Sequence, residues 1–308
     1  MKFINGVLLL AFMASSCHVA AQVTMTVDAS QRGPLTSPYQ YGLFFEEINH
    51  AGEGGLYAEL VKNRSFEDGT NGWSAVNGAT MNLSTTNLLN DAQANALVVS
   101  AKNASAASPK GIANTGYWGM AFRKDSTYTL TFWARGQRTL GGHLLARLVS
   151  GQADITGEMS STQWNKLTAT IRATENTNKG SLQLLTNASG TMYVDVVSLF
   201  PATYKGRANG LRPDLAQLLA DTHPRFMRFP GGCYVEGQEA YTNAFQWKKT
   251  IGPIETRPGH WNKNWGYWSS DGLGFDEYLQ LCEDIGAAPL FVVNVGMGHG
   301  FTFSLDET

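Results

Sequence analysis

Apolar and polar positions divide the chain into stretches of different period. Residues 23–29, Val-Thr-Met-Thr-Val-Asp-Ala, alternate and predict a β-strand. Residues 41–46 hold the unbroken apolar run Leu43-Phe44-Phe45, which ends in two adjacent acids, Glu46 and Glu47. That is the pattern of a short strand buried on both faces. A Gly-rich loop follows. Then Leu56 and Leu60 recur at i, i+4 with Tyr57 and Val61 beside them, which predicts a helix.

From about residue 70 to 200 the helical period disappears and a period of two replaces it. Tyr128, Leu130 and Phe132 fall on one face of a strand whose other face is threonine. The runs Ser181–Leu185 and Thr191–Phe200 repeat the pattern, and turn-rich segments separate them. The region predicts an all-β sandwich. Past Lys205 the helical period returns. Residues 211–224 read as a helix with Pro213 in its first turn, Asp214 at its positive end and His223-Pro224 as its stop. A buried strand follows at 225–230. A second helix puts Phe275, Tyr278, Leu279, Cys282 and Ile285 on one face, with Gly286 as its cap, and leads into the apolar run 290–296.

Apolar strands alternating with helices predict a parallel sheet. The predicted class is therefore α/β: the first three strands of a (β/α)₈ barrel, interrupted by an all-β, jelly-roll or galactose-binding-like sandwich. The expected division is a leader at 1–21, a first barrel unit at 22–66, the insert at 67–203 and resumed barrel at 204–308. Each parallel strand ends in polar or glycine-rich sequence: Glu46-Glu47, Gly231-Gly232-Cys233 and Asn294-Val295-Gly296. In such barrels that end carries the active site.

A net charge of −2 and the lack of a basic run argue against nucleic acid as the main partner. Lys2, the apolar run Val7–Met13 and Val19-Ala20-Ala21 read as a secretory leader, so the expected location is secreted or periplasmic. Cys17 offers lipoprotein attachment as an alternative. No later segment is apolar for the ~20 residues a membrane span needs. The remaining cysteines, Cys233 and Cys282, form neither a disulfide framework nor a metal spacing, and Cys282 reads as packing. His50, His260 and His299 likewise lack ligand spacing. Asn63, Asn82, Asn103 and Asn187 fit the N-glycosylation pattern.

Four long motifs then stand in order: "GLFFEEINHAGEGGLYAELVKNRSFE", "RFMRFPGGCYVEG", "WKKTIGPIETRPGHWN" and "PLFVVNVGMGHG". Together they closely resemble the α-L-arabinofuranosidases of glycoside hydrolase family 51, in the subgroup with an inserted carbohydrate-binding-like sandwich. The resemblance covers nearly all of the chain beyond the leader. It implies removal of terminal α-L-arabinofuranosyl groups from arabinoxylan- or arabinan-type polysaccharides, with retention and without a cofactor. It also implies a parent that is often a homo-oligomer. Retention needs two carboxyls about 5–5.5 Å apart, one protonated and one ionised. In family members the acid/base follows an Asn at the fourth strand end, and the nucleophile lies at the seventh. No Asn-Glu pair occurs in 206–308. Both catalytic glutamates are therefore expected beyond Thr308, and the 308-residue chain is expected to be inactive.

The resemblance makes Glu46 the strand-end glutamate that holds arabinose hydroxyls. Glu47 should point the other way, because successive strand side chains alternate, and reads as structural support. By the same resemblance Arg228 stands beside the nucleophile, with an ion pair to Glu46 as the alternative. Cys233 stands where some relatives have a sugar-contacting Asn. Trp265 and Trp268, with Trp261, lie in a loop at the predicted sugar face, where aromatic rings can stack on sugars; stapling of the loop is the alternative. Asn294 is a polar neighbour at the third strand end. In the insert, Tyr117, Trp118 and Trp164 read either as glycan contacts or as core. A second reading of the whole is a non-catalytic carbohydrate-binding protein that uses the insert.

Overall fold

The computed structural model describes residues 23–138, 144–148, 151–154 and 159–303. The predicted leader, with Cys17, lies outside them. So does Thr308, the position beyond which the catalytic glutamates are expected. Residues 23–37 belong to a unit of their own. The strand expected at 23–29 is absent: these residues form no ladder, and Val23, Met25 and Val27 are exposed. Alternation shows that a segment can form a strand. A strand also needs a partner for its N–H and C=O groups.

In the second unit, Leu43–Phe44, Phe226–Phe229 and Ala288–Phe291 form a parallel three-stranded sheet in that order. Phe44 lies opposite Arg228, and Arg228 opposite Leu290. The first ladder runs on past its strand, with the Phe45 N–H donating to the Arg228 carbonyl at 2.8 Å and the Glu47 N–H to that of Pro230 at 3.3 Å. Helices α1 (Pro213–Asp221) and α3 (Phe275–Ile285) stand where predicted, and a short helix α2 (Cys233–Glu236) follows the second strand. Gly286 caps α3 at a φ of 72°, a conformation that costs glycine little. Met227, Phe229, Ala216, Tyr278, Leu281 and Cys282 make the core between sheet and helices. Three parallel strands are present among the described residues, and they do not close a barrel. The predicted apolar strand 290–296 is shorter than expected, because Val293 and Val295 lie exposed beyond its paired part.

The helix expected at 56–61 is also absent. Residues 52–56 make a single wide turn, and the chain then extends. Its hydrogen bonds go to the returning chain: Ala58 N–H to Gly210, Leu60 N–H to Leu199, and Arg212 N–H to Leu56. Gly52, Gly54 and Gly55 disfavour a helix start. These partners from 199–212 make the extended form the better one.

Among the described residues the insert holds a short two-stranded antiparallel sheet, Met120–Phe122 with Thr177–Gly180, and two antiparallel five-stranded sheets. One runs Asn165–Arg172, Thr127–Arg138, Gly190–Phe200, Ala96–Ala101, Thr80–Ser84. The other runs Trp73–Val76, Lys110–Asn114, Leu182–Thr186, Leu144–Leu148, Gly151–Asp154. Leu97, Leu130, Phe132 and Val194 from the first meet Ile112, Leu148, Leu182 and Leu184 from the second in one core. Tyr128, Leu130 and Phe132 all point inward, as their period requires. Asn63 is buried and donates to the Gly69 and Asn71 carbonyls, so it is a structural residue and is closed to glycosylation.

Insert and parallel sheet are joined by buried charge. Arg64, 2% exposed, donates to the Tyr57 hydroxyl at 3.1 Å and the Ser270 carbonyl at 3.4 Å. Burial alone would lower its pKa, but Tyr57, Glu59 and Glu53 outweigh that and raise it. Glu59 accepts from Ser198 and from the Leu199 and Val61 N–H groups. Replacing Arg64 by Leu strands two buried acids. The expected loss is about 3–5 kcal/mol of unfolding free energy, read from the urea midpoint at pH 7. A loss below about 1 kcal/mol would show that Arg64 does not hold the seam together.

Candidate functional site

Glu46 leaves the first strand facing the start of α2. One of its oxygens, Oε1, accepts from the Gly232 N–H at 3.1 Å and the Tyr234 N–H at 2.9 Å. Gly231 has a φ of 148° and lies so close that a Cβ there would meet the Glu46 side chain at 2.4 Å. This is the close approach that needs glycine. Among the described residues nothing donates to Oε2. The Arg228 guanidinium lies 4.8 Å over the Phe44 ring, a cation–π contact, and makes no ion pair among the described residues. The alternative of an Arg228–Glu46 ion pair is thus not what the structure shows. Cys233 opens α2. Burial first, and then the charges of Glu46 and Glu236, hold its thiol above its ordinary pKa. Its carbonyl accepts from the Asn264 amide at 2.6 Å.

Asn294 sits at the other end of α2. Its amide donates to the Val235 and Met297 carbonyls at 3.0 Å, and its Oδ1 accepts from the Gly296 N–H at 2.8 Å. It shapes the loop beyond the third strand. That loop carries His299, whose N–H donates to the Gly237 carbonyl at 2.9 Å and whose Nδ1 lies 3.4 Å from Glu236. Cys233, Glu236 and His299 thereby gather their polar atoms within 4.8 Å of one another. Sequence spacing had pointed away from such a cluster. Cys233 and Glu236 lie one helical turn apart, but His299 reaches them only through the chain's return.

The tryptophans line a different place. Residues 260–269 form a hairpin in which Trp261 pairs with Trp268. With His50, Glu53, Lys62, Asp68 and the insert's Tyr117 and Trp118, this hairpin bounds a cleft of about 430 Å³. His50 stacks on Tyr267 at 3.8 Å and meets Tyr117 and Trp118 edge-on. Trp118 is 68% exposed, so it belongs to the cleft rather than to the insert's core. The indole N–H groups of Trp265 and Trp268 are buried without a hydrogen-bond partner among the described residues. Glu46, Arg228, Cys233 and Asn294 do not line this cleft.

Glu53 in the cleft wall and the neighbouring Glu47 are both buried. Glu47 accepts from the Tyr267 hydroxyl at 3.0 Å and the Glu53 N–H at 3.1 Å. Glu53 accepts from Ser270 N–H at 3.0 Å, Ser270 Oγ at 2.8 Å and Gly272 N–H at 3.2 Å. Burial, reinforced by the charge of Glu53, pushes the Glu47 pKa up to about 8. The two acids differ in environment, yet each is committed to fixing loops.

A family model described as "Alpha-L-arabinofuranosidase 1 domain" matches residues 218–307, and one described as "Carbohydrate binding domain" matches 58–190. Alpha-L-arabinofuranosidase 1 of Arabidopsis thaliana is 38% identical over 340 residues, covering 97% of this chain and 48% of that protein. Alpha-L-arabinofuranosidase A of Aspergillus kawachii is 33% identical, over 97% of this chain and 48% of its own. The arabinose-bound structure of MgGH51 α-L-arabinofuranosidase superposes with a TM-score of 0.79 at 34% identity, covering 86% of this chain and 46% of that one. The chain belongs to the α-L-arabinofuranosidases of glycoside hydrolase family 51. It spans about half the length of the curated relatives it matches.

In this arabinofuranosidase-family chain the six predicted site residues therefore fall into separate places. Glu46, Arg228 and Cys233 lie at the ends of the first two strands, Asn294 braces the loop at the far end of α2, and Trp265 and Trp268 line the cleft. Sequence reasoning missed Glu53, His50 and Tyr267. Glu53 stands between glycines, in a run that signals only a loop. The stack of His50 on Tyr267 joins positions 217 residues apart.

Glu47 makes the stability of this arabinofuranosidase-family chain depend on pH. Its folded pKa of about 8 lies above its ordinary value of 4.5. The stability it contributes is full below pH 4.5 and is lost as pH rises through 8. The size is on the order of 4–5 kcal/mol. Glu59 and Asp195, also raised by burial, act in the same direction. Urea unfolding of wild type and Glu47→Gln from about pH 4.5 to 8.5 isolates the Glu47 part. The variant should lose less stability across that window by several kcal/mol, and parallel curves would rule out the raised pKa.

Proposed function

We propose that this chain is the sugar-holding portion of an α-L-arabinofuranosidase. The full enzyme would remove terminal non-reducing α-L-arabinofuranosyl residues from arabinoxylan- or arabinan-type polysaccharides by a retaining double displacement. Glu46 carries the reading. One carboxylate oxygen is fixed by two backbone N–H donors, and the other is left at the ends of the parallel strands, where it can accept sugar hydroxyls. A charged acceptor held in this way is both strong and directional. The similarity to an arabinose-bound relative supports the same sugar class. In this reading Arg228 and Cys233 line the same pocket, and the protein is exported through residues 1–21.

Retention needs a facing pair of carboxyls. Glu46 and Glu47 diverge, one to α2 and the other to Tyr267. In this reading the acid/base and nucleophile belong to sequence beyond Thr308, and the 308-residue chain binds sugar without turning it over. A second reading rests on exposed Trp118 and its cleft: a carbohydrate-binding protein whose insert and hairpin grip a longer glycan.

Calorimetric titration of the chain with arabinofuranosyl oligosaccharides separates these. Under the first reading Glu46→Ala weakens binding by roughly tenfold or more, the loss of one charge-assisted hydrogen bond, and Trp118→Ala leaves it within about twofold. The reverse pattern favours the second. Release of aryl leaving group from an aryl α-L-arabinofuranoside by the wild-type chain should not exceed that by Glu46→Ala. Turnover above that level would place the chemistry inside residues 1–308.

A further inference from the structure

We propose that Cys233, Glu236 and His299 form a binding site for a divalent transition-metal ion of the zinc type. The inference does not rest on the sugar-holding role of Glu46. Cys233 and Glu236 open and close α2 and stand three residues apart, so they share a face. His299 arrives from beyond the third strand, and two backbone-directed contacts hold it there: its own N–H to Gly237 at 2.9 Å, and the Asn294 amide to the Val235 carbonyl at 3.0 Å. The backbone frame of the cluster is thus set by hydrogen bonds that a metal would not disturb.

The spacing fits. In a tetrahedral zinc site, bond lengths near 2.0–2.3 Å put neighbouring ligand atoms about 3.3–3.7 Å apart. His299 Nδ1 and Glu236 Oε2 already stand at 3.4 Å, and all three ligand atoms lie within 4.8 Å. Closing the remaining gap needs side-chain rotations of about 1 Å, and both Glu236 and His299 are about half exposed and able to make them. One sulfur, one nitrogen and one oxygen donor select a borderline-soft ion over calcium or magnesium, which prefer all-oxygen shells. Three protein ligands on an accessible surface leave a fourth position for water.

The alternative is an ordinary half-exposed His–Glu contact beside an unrelated thiol, which contributes little. Cobalt(II) distinguishes the two, because a cobalt–thiolate bond gives a charge-transfer absorption that carboxylate or imidazole ligation does not. The 308-residue chain, stripped with a chelator and folded by circular dichroism, is titrated with cobalt(II) and then with zinc. The expected result is one equivalent bound, with the thiolate band present and removed by zinc. Cys233→Ser should abolish the band. Glu236→Gln and His299→Ala should each weaken binding by more than about tenfold. Cys282→Ala, which touches only the buried core thiol, should leave the band intact. A band that survives Cys233→Ser, no saturable binding, or Glu236 and His299 variants within twofold of wild type would each overturn the site.

Discussion

A buried positive charge is the constraint on which the structure depends. Glu53 and Glu59 are drawn out of water by the packing of the insert against the parallel sheet, and an uncompensated buried carboxylate costs several kcal/mol. Arg64, fully enclosed, supplies a positive charge that interacts favourably with both, and it also ties Tyr57 to Ser270. With that charge in place, Glu53 can organise 270–272 and Glu59 can organise 198–199. The first of these segments is the loop that follows the aromatic hairpin, and the second is the end of the sandwich strand that pairs with the chain at Leu60.

The same packing explains why the two adjacent acids of the first strand differ. Glu46 turns to α2 and keeps one oxygen uncommitted among the described residues. Glu47 turns into the protein and is pushed towards its neutral form by burial and by Glu53. Alternation along a strand separates the two directions, and environment then separates the two chemistries. The two carboxyls therefore do not face each other.

Much of this was legible in the chain. Period-two runs located the sandwich, and Tyr128, Leu130 and Phe132 face inward as read. Pro213 and Gly286 marked helix ends that the structure keeps. The errors have a common cause. Leu56–Val61 carried a helical period, and 23–29 an alternating one, but both outcomes were decided by which distant backbone was available to pair. The metal-type cluster was invisible for a similar reason. Spacing rules see neighbours in sequence, while His299 reaches Cys233 across a strand crossover. The candidate residues were singled out through long motifs, yet their division between the strand ends and a separate cleft depends on the fold of the hairpin.

One consequence concerns modularity. The insert reads in sequence as a self-contained domain that could be exchanged for another. Its last strand, however, supplies the Ser198 hydroxyl and the Leu199 N–H to Glu59, and the Val197 N–H donates to the carbonyl of Arg64. Trimming the chain at the apparent border would therefore remove the solvation of an acid that belongs to the other side. In an evolutionary or engineering swap, the unit that can move intact must include the last turns of the sandwich and the segment from Glu59 to Arg64. Recombination at the compositional boundary itself would be selected against by electrostatics rather than by shape.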